Sequence, residues 1–270
     1  ISIFTRSSRG VMLTSDGTEL LGYARQVVEQ ANMLEARYEH NEAPQERLAV
    51  SAQHYAFSVQ AFINVVEACD AQKFEFMRET TTAQIIDDVR AFRSEVGILY
   101  LDDFNRRVLE KAFADARVSF HPLFNARVHV FVSESHPLAR KPSICLEDLV
   151  PYTRYSFEQG TSNSFYFSEE PFSHIPCARN IRVSDRGTLT NLLTTSNGYV
   201  LSTGVLSSEM QSGMASIPLK EDAHMLVGYI VHDERRPAPI LTQYLSELRR
   251  IIADADRNGA VLIAEDGTSA

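Results

Sequence analysis

Short apolar runs alternate along this chain with longer stretches whose apolar residues recur every three or four positions. Leu48-Ala49-Val50, Glu75-Phe76-Met77 and Val96-Gly97-Ile98-Leu99-Tyr100 are such runs. Between them lie a helical pattern over 56–71, with Phe57, Phe62, Ile63 and Val66, and another carrying Ile85, Ile86, Val89 and Phe92 after Thr80-Thr81-Thr82. Parallel neighbours need a crossover, and a helix that makes it also covers the sheet face, so this order predicts βαβ units and a parallel sheet.

The pattern continues with a weaker helix over 105–114 and an apolar strand over 128–132. It restarts after His136-Pro137-Leu138-Ala139-Arg140, with strands expected over 152–157, 179–183, 198–202 and 226–231. Helices are expected over 188–193, 205–211 and 239–253. The reading is two similar α/β lobes, followed by a tail over 254–270 that has no strong pattern and is expected to be loosely held.

The opening residues differ. Ile1, Ile3 and Phe4, then Val11-Met12-Leu13, flank the turn chemistry of Ser7-Ser8-Arg9-Gly10, which predicts a small hairpin. Thr14 suits a helix N-cap, with Asp16 and Glu19 in the first turns. Leu20, Leu21, Ala24, Val27, Val28, Ala31, Leu34 and Tyr38 then form one apolar stripe, and the polar segment 41–46 sets that helix apart. A single stripe of this length needs a partner surface. A helix–helix dimer seam through Leu20, Val27 and Leu34 is expected.

A net charge of -9 argues against a surface that binds nucleic acid as a whole. No apolar run reaches the roughly 20 residues of a membrane span. The three cysteines, Cys69, Cys145 and Cys177, are odd in number and far apart, which suits a reducing compartment and hence the cytoplasm. The chain has no G-x-S-x-G, P-loop or H-E-x-x-H, and its eight histidines show no paired ligand spacing. No catalytic set, metal or cofactor is expected. Neither Cys145 nor Cys177 has an activating cation beside it in sequence, which speaks against a redox pair.

The opening Ile1-Ser2-Ile3-Phe4-Thr5-Arg6-Ser7-Ser8-Arg9-Gly10-Val11-Met12-Leu13-Thr14, continued by Gly17, Leu20, Leu21 and Ala24, resembles the wing and linker helix of LysR-type transcriptional regulators. Ser135-His136-Pro137-Leu138-Ala139-Arg140, the Ser143 to Leu149 stretch and Asn197-Gly198-Tyr199-Val200 resemble later segments of the same family. The resemblance implies an α/β, two-lobed, periplasmic-binding-protein-like effector domain preceded by a wing hairpin and a long linker helix. Residues 1–14 would be the remnant of a winged helix-turn-helix whose recognition helix lies upstream. Residues 15–46 would be the dimerisation helix and linker. Residues 47–253 would be the effector domain, with lobe I over about 47–132 and 232–253 and lobe II over about 133–231. Arg6, Arg9 and Thr14 would meet the DNA backbone in the intact protein, contacts that add affinity without reading sequence.

The resemblance also implies a small effector between the lobes, where strand ends and helix N-termini meet. Polar residues stand at those ends. The expected effector set is Ser51, Gln53, His54, Thr81, Thr82, Gly160, Thr161, Ser184, Asp185 and Thr203. Gln159 to Ser162 would open a helix. Tyr55, Phe131 and Phe157 would line the walls or fill the core. A small organic acid is one candidate guest, although Asp185 disfavours a carboxylate beside it. Gln53-His54-Tyr55 is bulkier than the small residues usual in the family, which implies an unusual effector or a partly filled pocket. The expected protein is a homodimeric or homotetrameric DNA-binding regulator, without enzymatic activity or membrane attachment. The alternative is a solute-binding protein or an enzyme on the same scaffold.

Overall fold

The computed structural model describes residues 1–7, 10–38, 48–68, 74–162, 164–206, 211–256 and 261–263. The chain divides into two units, Ile1–Gln45 and Glu46–Ala270. In the first, Phe4–Ser7 (β1) and Gly10–Leu13 (β2) pair antiparallel, Phe4 opposite Leu13 and Ser7 opposite Gly10. Ser15–Tyr38 (α1) follows. The Thr14 hydroxyl accepts the Gly17 N–H at 2.9 Å and donates to the Ser2 carbonyl, so one side chain caps the helix and ties it to the strand before it. A Cβ on Gly17 would overlap the Ile3 carbonyl, so only glycine lets the helix start this close to the hairpin. Leu20, Tyr23, Val27 and Val28 are exposed on α1.

In the second unit the elements run Leu48–Ala52 (β3), Ala56–Ala68 (α2), Phe74–Glu79 (β4), Thr82–Arg90 (α3), Val96–Leu101 (β5), Arg106–Ala116 (α4) and Val118–Arg127 (β6). There follow His129–Ser133 (β7), Leu146–Leu149 (α5), Thr153–Phe157 (β8), Asn180–Val183 (β9), Arg186–Thr195 (α6), Gly198–Ser202 (β10) and Met214–Pro218 (β11). His224–His232 (β12), Pro239–Asp256 (α7) and Val261–Ile263 (β13) complete it. One sheet has the order β13-β6-β12-β5-β3-β4 and the other β11-β7-β10-β8-β9. Each is parallel along one side, as the alternation predicts: β3 is parallel to β4 and β5, and β8 to β9 and β10. β12 and β7 run antiparallel to their neighbours.

Two crossings join the sheets, at Val128 and over 219–223. β7 therefore belongs to the five-stranded sheet and β12 to the six-stranded one. The expected boundaries at 132/133 and 231/232 each fall one strand late, because both strands are apolar enough for either sheet. β7 is buried along its whole length.

Three strands were not expected, β6, β11 and β13. β6 contains Pro122, which opposes Gly228 where the ladder with β12 shifts register. A proline has no N–H to give the ladder, and the irregularity absorbs it. β11 is short and polar at Ser216. The helix expected from Gln159 is absent: Gly160 takes a left-handed turn (φ 54°), and the one helical piece of that stretch is a 3-10 turn at Phe165–Phe167. Val205 and Leu206 are not helical, and 207–210 lie outside the described residues. The expected tail holds more order than its pattern suggested. α7 reaches Asp256, and β13 pairs with β6, Val261 opposite Ala126. Tyr244 of α7 fixes that helix to α2, its hydroxyl 2.7 Å from Ser58 Oγ. Among the described residues no helix is long and apolar enough to cross a membrane.

A Cβ on Gly228 would overlap the Phe120 ring and the His121 carbonyl. Gly228→Ala is expected to destabilise the second unit by about 2 kcal/mol, as overpacked cores do. Urea unfolding should show a lower midpoint at unchanged slope. A wild-type midpoint would mean that the register shift has slack.

Candidate functional site

Gln53, His54 and Tyr55 link β3 to α2 at the carboxyl end of the parallel strands. The Gln53 amide is buried and makes three hydrogen bonds. Its Nε2 donates to Thr82 Oγ1 at 2.7 Å, and its Oε1 accepts the Tyr55 hydroxyl at 2.9 Å and the Tyr100 N–H at 3.1 Å. It ties together β5, the start of α3 and its own turn.

The other polar groups at this strand end reach across to the five-stranded lobe. Glu169 Oε2 accepts the His54 backbone N–H at 2.9 Å and the ring Nδ1–H at 2.8 Å. Its Oε1 accepts Gln159 Nε2 at 2.9 Å, and Gln159 Oε1 accepts the Thr82 N–H at 3.0 Å. The His54 N–H in the turn before α2 and the Thr82 N–H at the start of α3 both need oxygen acceptors, and here the chain supplies them itself. The His54 ring also stacks on Phe157 at 3.8 Å. A further link joins Arg186 Nε of α6 to Glu79 Oε1 of β4 at 2.8 Å.

The segment between β8 and β9 adds apolar contacts. Phe167 packs on the cluster that contains Ile85, Leu99 and Leu109, and Phe104 stacks on Tyr166 and on His174. The segment is a strap anchored in one lobe and packed on the other.

Burial works against a charge on the His54 ring. The Glu169 carboxylate outweighs it by charge and hydrogen bond, with Glu79 helping and Arg186 opposing, so the imidazole pKa is held above its ordinary value. Glu170 beside it is buried. Its Oε1 accepts the Phe157 N–H at 2.8 Å, and its Oε2 has no partner. Burial, then the charge of Glu169, push this carboxyl up to about 8.

A cavity of about 30 Å³ remains next to these groups, walled by Phe131, Phe157, Leu189 and Met214. That holds a water or two. A metabolite pocket is roughly 300–1,000 Å³. In this conformation the cleft is closed by its own side chains.

The expected residues divide accordingly. Gln53, His54 and Thr82 meet at the cleft. Ser51 does not: its hydroxyl bonds Asp88 at 2.8 Å and lies 2.6 Å from Ser94 Oγ, inside a buried network that Arg78 and Arg93 complete. Thr81 caps α3 through the Gln84 N–H. Gly160 and Thr161 are exposed. Ser184 and Asp185 are exposed, and Asp185 caps α6 through Thr188. Thr203 is buried and accepts the Val205 N–H. Phe131 and Phe157 line the cavity and belong to the lobe core as well. Arg6 lies opposite Val11 in the hairpin, and Arg9 falls outside the described residues. The Thr14 hydroxyl is occupied by its cap.

Three residues that close the cleft were missed, Glu79, Glu169 and Arg186, and with them the buried Glu170 next to Glu169. The available signal was the acidic pair of Glu169 and Glu170 framed by Phe165-Tyr166-Phe167 and Pro171-Phe172 in a stretch with no period.

A family model described as the LysR substrate binding domain matches residues 77–252. Curated protein sequences give no significant match. Among solved structures, oxidized OxyR of Corynebacterium glutamicum is similar at 18% identity, over 96% of this chain and 80% of that one, with a TM-score of 0.56. A full-length BenM point mutant is similar at 16% identity, over 98% and 86%, with a TM-score of 0.55. The effector binding domain of QuiR in complex with shikimate is similar at 16% identity, over 76% and 96%, with a TM-score of 0.51. At these identities the structures show a shared fold.

Folded Glu170 keeps its proton up to about 8, well above an unfolded glutamate. Between the two values the folded chain binds more protons, so stability falls as pH rises. His54, raised from 6.5, acts in the same direction above that pH, while His129 and His136, lowered by burial, act against it. Glu170→Gln is therefore expected to flatten the loss of stability from about pH 5 to about pH 8 in urea unfolding. An unchanged slope would mean that Glu170 ionises freely.

Proposed function

Because this chain belongs to the LysR substrate binding domain family, we propose that Gln53, His54 and Thr82 form the floor of its effector site and that the effector trades places with Glu169 and Gln159. The protein is a LysR-type transcriptional regulator with a small-molecule effector domain. The observation that carries the proposal is the self-bridged strand end. The N–H groups of His54, in the turn before α2, and of Thr82, at the start of α3, already hold oxygen acceptors, delivered by a strap from the opposite lobe. A ligand that supplied better acceptors or packing would release the strap and shift the lobes between two arrangements.

In the intact regulator the hairpin of β1 and β2 acts as the wing, with Arg6 and Arg9 against phosphates, and Thr14 serves as the helix cap. α1 is the dimer seam. Leu20, Tyr23, Val27 and Val28, all exposed on α1, support that role, and Leu34 continues the stripe in sequence. The assembly is a cytoplasmic homodimer or homotetramer in which the effector lobes set the spacing of the DNA-binding heads, and the chain carries out no catalysis.

Two measurements test this. Leu20→Glu with Val27→Glu should convert the sedimenting species to monomer, and a persisting dimer would place the seam elsewhere. A thermal-shift panel of carboxylates, shikimate, amino acids, amines and sugars should give a hit worth about 2.7 kcal/mol at a hundredfold over its Kd. Gln53→Leu should abolish that hit. A hit indifferent to Gln53 would place the effector outside the cleft.

A further inference from the structure

The strap between β8 and β9 borders a second cavity, on the polar face of the five-stranded sheet. Arg154 and Ser156 of β8 lie opposite Asn180 and Arg182 of β9, so these four side chains stand on one face. The Ser156 hydroxyl donates to Asn180 Oδ1 at 3.1 Å, which leaves the Asn180 N–H groups unused. Ser164 and Ser168 of the strap line the same cavity. It shares only Phe157 and Glu170 with the cavity of the cleft.

Arg154 is 6% exposed, and it is the one buried arginine or lysine among the described residues. A buried cation is costly unless an anion meets it. The half-buried Arg186 and Arg235 have such partners in Glu79 and Glu95. Arg154 makes no ion pair among the described residues. Its Nε donates to the Tyr199 hydroxyl at 3.3 Å, and its Nη1 to the carbonyls of Phe172 and Ile175 at 3.2 and 3.0 Å. These bonds fix the guanidinium in place, and Nη2 keeps both of its hydrogens free. Glu170 does not compensate the charge: its Oε1 accepts the Phe157 N–H, and it keeps its proton up to about 8.

We propose that this cavity binds a compact oxyanion, a free phosphate or sulfate ion. The ion would meet Arg154 on the inside, Arg182 and the Asn180 amide at the rim, and the serine hydroxyls of the strap. Guanidinium forks, amide N–H and hydroxyl groups are all donors, and an oxyanion is the guest that accepts from each. The enclosed part is about 30 Å³, while Ser164, Asn180 and Arg182 are exposed. Such an ion therefore seats some of its oxygens inside and keeps the others in water. The proposal is independent of the effector reading of the cleft.

Thermal shift of the whole chain with inorganic phosphate, sulfate and chloride at one ionic strength tests this. Phosphate and sulfate are expected to raise Tm saturably over chloride. Arg182→Gln, at an exposed position, should weaken phosphate about fivefold, the share of one exposed charge, and Arg154→Gln should abolish its binding. Arg107→Gln, at an exposed arginine of α4, should leave it unchanged. No saturable rise over chloride, or a rise indifferent to Arg182→Gln, would overturn the site. Should Arg154→Gln fail to fold, the Arg182→Gln comparison decides alone. Tighter binding of glycerol 3-phosphate than of inorganic phosphate would overturn the free ion as the guest.

Discussion

The Glu169 carboxylate accepts hydrogen bonds from the backbone and the ring of His54 and from the amide of Gln159. Three groups from two lobes thus converge on one buried ion. An ion in such a place persists only when its lone pairs are matched, and here three N–H donors match them, one of them on an imidazole whose pKa is held above its ordinary value. The rest of the cleft follows from that pairing. Gln159 is turned so that its oxygen reaches the start of α3, and His54 lies flat on Phe157. Glu170 is drawn in next to a like charge. The strap is drawn along as well, and it sets Tyr166 and His174 against Phe104.

For a regulator this arrangement sets the terms of signalling. A ligand must recover the contacts that it displaces before its own contacts shift the lobes, so affinity is reduced by the share of molecules that stay closed. The two crossings at Val128 and over 219–223 run side by side, the Val128 N–H bonded to the Ala223 carbonyl at 3.1 Å and the Leu219 N–H to the Val128 carbonyl at 3.0 Å, with Val128 and Leu219 buried in the core.

Much of the architecture could be read from the sequence, because local periodicity determines it. β3, β5 and β10 are brief, mostly apolar runs, and the helices between the strands are amphipathic. β6 was hidden because Pro122 and polar neighbours break its pattern, and only pairing with β12 makes it a strand. The assignment of β7 and β12 to their sheets depends on long-range partners that no local window contains. The site was legible in half. Gln53, His54 and Thr82 stand where strand-end logic puts them. Ser51 follows the same logic, yet a buried carboxylate, Asp88, claims it from the other side. Glu169 meets His54 across 115 positions of chain, and the loop that carries it shows no period.

The most direct test is the titration of the His54 ring, followed by nitrogen-detected NMR in the wild type and in Glu169→Gln. With the pair formed as described, the wild-type imidazole titrates above 6.5, and the variant, deprived of the charge that outweighs burial, titrates below the wild type. A His54 that titrates at or below 6.5 in the wild type, and does not respond to Glu169→Gln, would mean that Glu169 does not hold the cleft closed.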